Sequence, residues 1–423
     1  MDVKQAFEFI DSFGKSGRPV SDLSRIKSLL NELSNPQRSL KFIHVAGTNG
    51  KGSVCEMLTE AICHEGLRVG TFTSPYILEY CDRIRINKQN IPTHYLVRYA
   101  EIVSEAVSRT GYGKDFSQFE ITMCIALLYF RERACDVVVW ETGIGGKNDC
   151  TNVIENPLVS IICSVSFDHT AMLGNTIEEI ATQKCGIIKE GCPCVMSFGN
   201  DAKAQDIFIR TAICRYSPAY IPNCTLLEIV SDTLDGCGFV YKGKAYRTAM
   251  CGIHQAANAS TVIEAFHAMR YSLPISQTSI EYGISHAKIH ARAEVINKEP
   301  LIILDGGHNP NGFSALSHLI RSKTSGKRTV LIGMLKDKEA ISAVSHIASV
   351  CDTFITVDGF HPNAIDSNEL AEEIGRFGVT SYAAGSVSQG FSDLIRLSEG
   401  GVGIICGSLY LASQILTEQL PKL

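Results

Sequence analysis

A chain of 423 residues is longer than one ordinary core accommodates, so two or three domains are expected. Its 45% hydrophobic and 20% charged residues describe a soluble globular protein. With 39 basic against 44 acidic residues the net charge is −5, and no basic run stands out, which argues against a nucleic-acid partner.

No apolar stretch reaches the roughly 18 residues needed to cross a bilayer. The opening Met1-Asp2-Val3-Lys4-Gln5 is polar and no signal-peptide core follows it, so no membrane partner and a cytoplasmic location are expected. The 16 cysteines contain no Cys-x-x-Cys pair, Cys192 and Cys194 being the nearest approach. They read as reduced, small core residues and not as zinc ligands.

In chain order, residues 1–39 look helical. Ser21-Asp22 is placed as the cap of a helix containing Leu23, Ile26, Leu29 and Leu30, which Asn35-Pro36 ends. Ile43-His44-Val45-Ala46 then runs into Gly47-Thr48-Asn49-Gly50-Lys51-Gly52-Ser53, and Val54, Met57, Leu58, Ala61 and Ile62 follow at helical spacing. Strand, glycine turn and helix form a phosphate cradle: backbone N–H groups close on oxygens, Lys51 adds a point charge, and the helix N-terminus favours anions. The standard motif has glycine at the position of Val45 and a hydroxyl at that of Gly52; here the hydroxyl comes one later, at Ser53. A nucleoside triphosphate is the expected ligand.

Val137-Val138-Val139-Trp140 and Leu158 to Ile162 are short, almost wholly apolar runs, as in strands buried on both faces of a parallel sheet. Helical patterns such as Ile121 to Phe130 lie between strands, predicting a doubly wound α/β domain. Around Ala287–Pro300 the texture changes. Apolar runs resume at Leu301–Leu304, Thr329–Ile332, Thr353–Val357 and Val402–Cys406, predicting a second, smaller α/β domain. The expected division is 1–289 and 290–423, with no internal repeat.

Sites on open parallel sheets gather at C-terminal strand ends. Four such ends carry reactive residue types: Thr73-Ser74-Pro75, Glu141 before Gly143, Gly145 and Gly146, Asp168-His169, and Asp305 to His308. Ser74 and Glu141 beside Lys51 supply the hard oxygen donors that Mg²⁺ prefers, whereas His169 is the less usual ligand. Each has a plainer reading: a turn cap for Ser74, an ion pair for Glu141, a structural imidazole for His169. Lys184 reads by itself as a solvated lysine at a helix end. Gln255 and Asn258, at i and i+3, could read a base edge or cap a helix.

Together these segments, in this order, resemble the folylpolyglutamate synthase/dihydrofolate synthase family of Mur-ligase-like ATP-dependent amide ligases. The matching stretches include Asn35-Pro36-Gln37, His44–Ser53, Thr73-Ser74-Pro75, Phe119-Glu120, Glu141–Asn152, Asp168-His169, Lys184–Lys189, His254–Ala259, Arg292-Ala293-Glu294, Asp305–Pro310 and Gly407–Leu411. They span nearly the whole chain. The resemblance implies a P-loop domain like the Mur ligase central domain, with a mostly parallel sheet, plus a smaller Rossmann-like C-terminal domain.

It also implies roles. Asn49, Gly50, Lys51, Gly52, Ser53, Asn258, Arg292 and Asp305 would contact ATP. Ser74 and Glu141 would bind one Mg²⁺, with His169 at a second position and Lys184, as a carbamate, supplying an anionic oxygen. Phe119, Glu120, Asn148, Asp149 and Cys150 match the pteroate or folate side, and His308 and Ser408 the incoming glutamate. His308 is the candidate amine base, and Lys51 and Lys184 complete the catalytic set. The implied cofactors are ATP and Mg²⁺ at two positions, with room for a monovalent cation. The implied reaction forms an acyl phosphate on dihydropteroate or a folate, which the glutamate amine of a third small-molecule substrate then attacks. A monomer is expected.

The chain departs from the family's pattern in places. The family's turn commonly continues Arg-Leu-Asp-Ala-Thr-Asn, where this chain has Lys147-Asn148-Asp149-Cys150-Thr151-Asn152, and its Ser-Pro-His becomes Ser74-Pro75-Tyr76. These departures sustain an alternative, a related Mur-type ligase with a different acid. A third reading is a nucleotide-binding switch without ligase chemistry. The segment after Asp22-Leu23 resembles that of bifunctional bacterial members.

Overall fold

The computed structural model describes residues 1–14, 22–336 and 340–420. The chain forms two compact units. The first comprises Met1–Leu227, Tyr241–Tyr246 and Ala257–Ala287, and the second Glu228–Val240, Arg247–Ala256 and Lys288–Leu423.

The first unit is built on eight strands: β1 Phe42–Ala46, β2 Val69–Phe72, β3 Ile84–Ile86, β4 Gln89–Asn90, β5 Val137–Glu141, β6 Val159–Ile162, β7 Cys194–Met196 and β8 Ala219–Tyr220. Their order is β4-β3-β2-β5-β1-β6-β7-β8. Pairing is parallel from β2 through β8, and β3 and β4 add an antiparallel edge. The strands β1, β2, β5 and β6 are buried throughout, which explains their unbroken apolar runs. The helices Val3–Asp11, Ser24–Glu32, Thr93–Thr110 and Gln118–Glu132 contribute to one core with Phe42, Phe72, Val138 and Trp140. The helices Ile177–Cys185 and Ala202–Cys214 pack in another, with Ala46, Ile162 and Met196.

Chain order alternates around β1. From β1 the chain goes outward to β2, returns to β5 beside β1, and then crosses to β6 on the other flank. This reversal leaves a crevice at the C-terminal end of β1, the place where open α/β sheets bind ligands.

A three-stranded antiparallel sheet follows: β9 Leu227–Thr233, β10 Gly236–Tyr241 and β11 Lys244–Thr248. The apolar runs do not announce it, because most side chains of β9 are exposed. In the second unit β12 Glu294–Lys298, β13 Leu301–Leu304, β14 Arg328–Ile332, β15 Thr353–Thr356, β16 Thr380–Ala383 and β17 Val402–Cys406 form one sheet, ordered β12-β13-β17-β14-β15-β16. It is parallel except for β12. The expected fold class, doubly wound and mostly parallel with a smaller α/β unit, is the one observed. All 16 cysteines are free; of the five in apolar sequence settings, those at 55, 124, 163 and 406 are buried, whereas Cys63 is only half-buried. Among the described residues no helix is long and apolar enough to cross a membrane.

Near the N-terminus the second helix begins at Ser24, and its cap position, Leu23, makes no side-chain bond. Asp22 instead accepts from the Ser24 N–H at 2.8 Å, an Asx turn one residue early. Ser21 lies outside the described residues. This helix is bolted to the next layer by Arg25, whose Nε and terminal nitrogen donate to the two oxygens of Glu120 at 3.0 and 2.7 Å. Both side chains are buried. Removing one partner of such a pair strands the other charge away from water. Arg25→Ala is therefore expected to lower stability by about 3 to 5 kcal/mol, measured by urea unfolding at neutral pH. A loss below about 1 kcal/mol would mean that Glu120 finds water or another partner.

Candidate active site

At the end of β1 the chain turns through Gly47 to Gly50 into the helix Lys51–His64. Gly50 has φ +87°, and a Cβ there would lie 2.7 Å from Asn258 Oδ1. Only glycine accepts both the left-handed backbone and that approach. The N–H groups of Lys51, Gly52 and Ser53 open the helix, where donors lack intrahelical acceptors, so they form an anion-binding end. Lys51 Nζ folds back to donate to the carbonyls of Gly47 and Thr48, at 3.1 and 3.3 Å. The ammonium is thereby held over the loop that leads into this helix end.

Two neighbouring strand ends supply oxygens. Parallel register sets Val45 beside Glu141 and Phe72 beside Trp140, so β1, β2 and β5 finish together. Glu141 is 3% exposed, and its Oε2 accepts from the Ser74 N–H at 2.9 Å. That bond holds the loop after β2 against the end of β5. The adjacent Thr142 hydroxyl is buried without a hydrogen-bond partner. His169, beyond β6, has φ +49° and stands 3.8 Å from an oxygen of Asp168.

The glycine turn after Glu141 lies flat on the end of the helix Ile177–Cys185. A Cβ on Gly146 would meet the carbonyl oxygens of Gln183 and Lys184 at 2.7 and 2.8 Å, and one on Gly186 would meet Lys147 Cβ at 2.4 Å. Lys147 N–H donates to Gln183 O at 2.7 Å, and Asn152 Nδ2 bridges the carbonyls of Lys147 and Gly186. Lys184, at the end of this helix, is 3% exposed, which overturns the reading of a solvated helix-end lysine. Burial, then the Lys51 charge, lowers its pKa to about 7, against the opposing pull of Asp168 and Asp149.

In the second unit the ends of β13 and β17 lie side by side, with Leu304 beside Ile405. Asp305 accepts from the N–H groups of Ala293 and Gly307, at 2.8 and 2.7 Å. It thereby fixes the segment carrying Arg292, in which Ala291 and Ala293 have φ of +57° and +50°. Gly407 N–H donates to Gly307 O at 3.0 Å, bringing the two strand ends together. His308 is exposed, and its Nδ1 lies 2.9 Å from Gly306 O. A carbonyl only accepts, so Nδ1 carries a proton and the acceptor of the neutral ring is Nε2. Ser408 is buried and caps the helix Leu409–Gln414 by accepting from Tyr410 N–H.

Residues 291–409 match the family described as Mur ligase, glutamate ligase domain. Over 93% of its length the chain is 33% identical to the dihydrofolate synthase/folylpolyglutamate synthase of Bacillus subtilis, covering 94% of that protein. It is 32% identical to the folylpolyglutamate synthase of Lacticaseibacillus casei, covering 98% of both chains. Among solved structures, the Mycobacterium tuberculosis folylpolyglutamate synthase complexed with ADP and AMPPCP superposes with a TM-score of 0.88 at 26% identity, over 99% of both chains. A complex of such a synthase with AMPPCP and folate gives 0.85 at 29% identity, over 98% of both chains. This chain belongs to the folylpolyglutamate synthase/dihydrofolate synthase family. It is an ATP-dependent ligase forming an amide bond, and the switch protein without ligase chemistry is set aside.

Within this folylpolyglutamate synthase relative, the residues expected on the pteroate side divide. Phe119 lies against Phe72, with ring centroids 5.5 Å apart, and against Gly143, where a Cβ would meet its ring at 2.8 Å and Asp149 Oδ2 at 3.2 Å. Phe119, Gly143 and Asp149 therefore come together. Asn148 and Cys150 flank them, each half-buried. Burial pushes the Asp149 carboxyl pKa up, while bonds from Thr151 and from the Ile144 N–H pull it down. Glu120 does not join this group: both oxygens serve Arg25, and one also accepts from Ser117.

The motifs left two contributors unmarked. His44, fully buried in β1, has Nε2 3.1 Å from the Thr151 hydroxyl, which in turn donates to Asp149. The other is the pair Thr48 and Ser164, which fastens the phosphate loop to the segment after β6. Neither pairing has a local sequence signal, since each joins residues more than 100 positions apart. The glycine packing is open to direct trial. Gly146→Ala is expected to cost about 1 to 3 kcal/mol in urea unfolding, because the new methyl must push the turn off two carbonyls. An unchanged midpoint would show that the turn can lift from the Lys184 helix without cost.

Proposed function

We propose that this chain uses ATP to join L-glutamate to dihydropteroate, to a tetrahydrofolate-type acid, or to both, through an acyl phosphate. The observation that carries this is one constellation: the anion cradle of Gly50 to Ser53, Glu141 locked to the Ser74 loop, and Lys184 buried nearby with a pKa of about 7. In the proposed division, residues 1–289 hold the ATP phosphates and the pteroate side, and 290–423 serve the glutamate.

The γ-phosphoryl group passes to the substrate carboxylate, leaving ADP. Asn49 through its side-chain amide, Gly50 and Gly52 through backbone N–H groups and Ser53 through its hydroxyl orient the phosphates, and Lys51 offsets charge on the transferring group. Asn258, Arg292 and Asp305 are assigned to the rest of the nucleotide. The glutamate amine then attacks the acyl carbon, forms the amide and expels phosphate. His308 takes the amine proton on Nε2, and Ser408 is assigned to the glutamate. Phe119 and Asp149, with Asn148 and Cys150, receive the pteroate part; Glu120 supports them through its helix.

The donor set at Ser74 and Glu141 suits Mg²⁺, a hard cation that takes oxygen ligands. Among the described residues no three His, Cys, Asp or Glu side chains gather as a metal cage. A magnesium site completed by phosphate and water oxygens needs none. Mg²⁺, when bound, would neutralise charge on the phosphates. His169 and Lys184 are assigned to a second position, where a neutral Lys184 amine can add carbon dioxide, release a proton and become an anionic carbamate. The proposal includes monomeric action in the cytoplasm on small molecules alone. The Lys147–Cys150 departure favours one alternative, a different acid in the pteroate place.

Phosphate release from Mg-ATP and L-glutamate, with dihydropteroate or tetrahydrofolate added separately and product masses checked, decides the substrate. Release with a gain of one glutamyl unit is expected. Silence with both acids, from protein that still binds ATP, would move the assignment to another acid. Lys51→Ala is expected to lower turnover by at least about 100-fold with an unchanged unfolding midpoint. Turnover like the parent's would remove Lys51 from the phosphate site.

Lys184→Ala should lose most activity and regain part of it with added short carboxylic acids, which replace the carbamate oxygens. Labelled bicarbonate should mark the parent at this lysine increasingly as pH climbs through about 7, because only the neutral amine reacts. Full activity of the variant without any addition would make Lys184 a packing residue.

A further inference from the structure

The ladder between β1 and β6 does not stop where the strands end. It closes Ala46 beside Ile162, and then Cys163 N–H donates to Ala46 O at 2.7 Å and Thr48 N–H to Ser164 O at 2.6 Å. Beyond this point the glycine turn carries the backbone away from its neighbour, and two hydroxyls continue the pairing. Ser164 Oγ accepts from Asn49 N–H and donates to Asn49 O, both at 3.2 Å. Thr48 Oγ1 accepts from Ser166 N–H at 3.1 Å and donates to Ser166 O at 3.0 Å.

Each hydroxyl therefore acts as an extra rung, meeting both the donor and the acceptor of one residue on the facing loop. A hydroxyl has one proton to give, and here each proton is already committed to a carbonyl. Thr48 is 8% exposed, so neither its proton nor its position suits it to grip a phosphate. The loop held this way leads within three residues to Asp168 and His169, and Asp168 acts electrostatically on Lys184.

We propose that Thr48 and Ser164 are positioning residues, whose hydroxyls make the phosphate loop and the Asp168–His169 loop one rigid body, so that nucleotide phosphates and the metal-side residues are set together. The role rests on the ligase reading given above. Misplacing catalytic groups by about 1 Å costs on the order of 100-fold in rate, so the two rungs are expected to matter in turnover more than in overall stability.

The test compares Thr48→Val, which keeps the shape and loses the hydroxyl, with Thr48→Ser, which keeps the hydroxyl and loses the methyl group, and with Ser164→Ala. Thr48→Val and Ser164→Ala are expected to lower kcat about 10- to 100-fold and to raise the Mg²⁺ concentration for half-activity several-fold. The KM for the folate-type acid should stay within about 2-fold, and Thr48→Ser should recover to within about 3-fold of the parent. Calorimetric titration with ADP, with and without Mg²⁺, reads the same coupling without turnover: the Mg²⁺-dependent gain in affinity should shrink in Thr48→Val.

Three results would overturn the proposal: kcat and the Mg²⁺ gain unchanged in Thr48→Val; Thr48→Ser as impaired as Thr48→Val, which would put the effect in the methyl group; or a uniform loss in every parameter with a lowered unfolding midpoint. If the parent turned over no folate-type acid, the assignment of the acid would fall, and the ADP titration would still decide the role of the two hydroxyls.

Discussion

Strand β1 runs parallel between β5 and β6, with Val45 beside Glu141 and Ala46 beside Ile162. Fixed register makes three chain segments leave the sheet at one level. The phosphate loop, Glu141 and the Ser164–His169 segment start from those exits. A slip of one residue in any of the strands would turn its side chains to the opposite face and withdraw a reactive group from the crevice. Burial on both faces prevents such a slip, because every residue of these strands is packed. The apolar runs that identify the strands are thus also what holds the polar ends in place.

Electrostatics at those ends follow from the same packing. Lys184 is buried away from water, and the nearby Lys51 charge further disfavours its ammonium form. The result is an amine near neutrality, a condition an exposed lysine meets only in strongly basic solution. Asp149 is shifted in the opposite chemical sense by the same cause, burial disfavouring its charged form. Its bonds from Thr151 and Ile144 oppose that cost, and they also fix the carboxylate beside Gly143 and Phe119.

Much of this was legible in the sequence where the signal is local. The phosphate loop, the strand ends at Glu141 and Asp305, and the parallel strands of both sheets follow from glycine placement and short apolar runs. What stayed hidden depends on partners distant in the chain. The sheet of β9, β10 and β11 gives no apolar run because β9 is mostly exposed. Lys184 looked solvated because nothing beside it in the sequence announces its burial. Glu120 looked ligand-facing because nothing near it in sequence names Arg25, 95 residues earlier. The two hydroxyl rungs escaped for the same reason: threonine and serine beside a glycine turn read as turn residues until the facing loop is known.

The departures at Lys147 to Cys150 carry different weights once their contacts are known. Lys147 serves the turn through its N–H, its carbonyl and its Cβ, all of which any residue with a side chain would supply. Exchanging the family's arginine for lysine therefore leaves the backbone of the turn intact, and alters only the exposed end of the side chain. Asp149 and Asn152 match the family's pattern, and both are hydrogen-bonded within the turn region. The remaining departures are Asn148 and Cys150, each half-buried on either side of Asp149. An amide in place of leucine adds donors and an acceptor that an apolar ring face cannot satisfy, and a thiol in place of alanine adds bulk with little polarity.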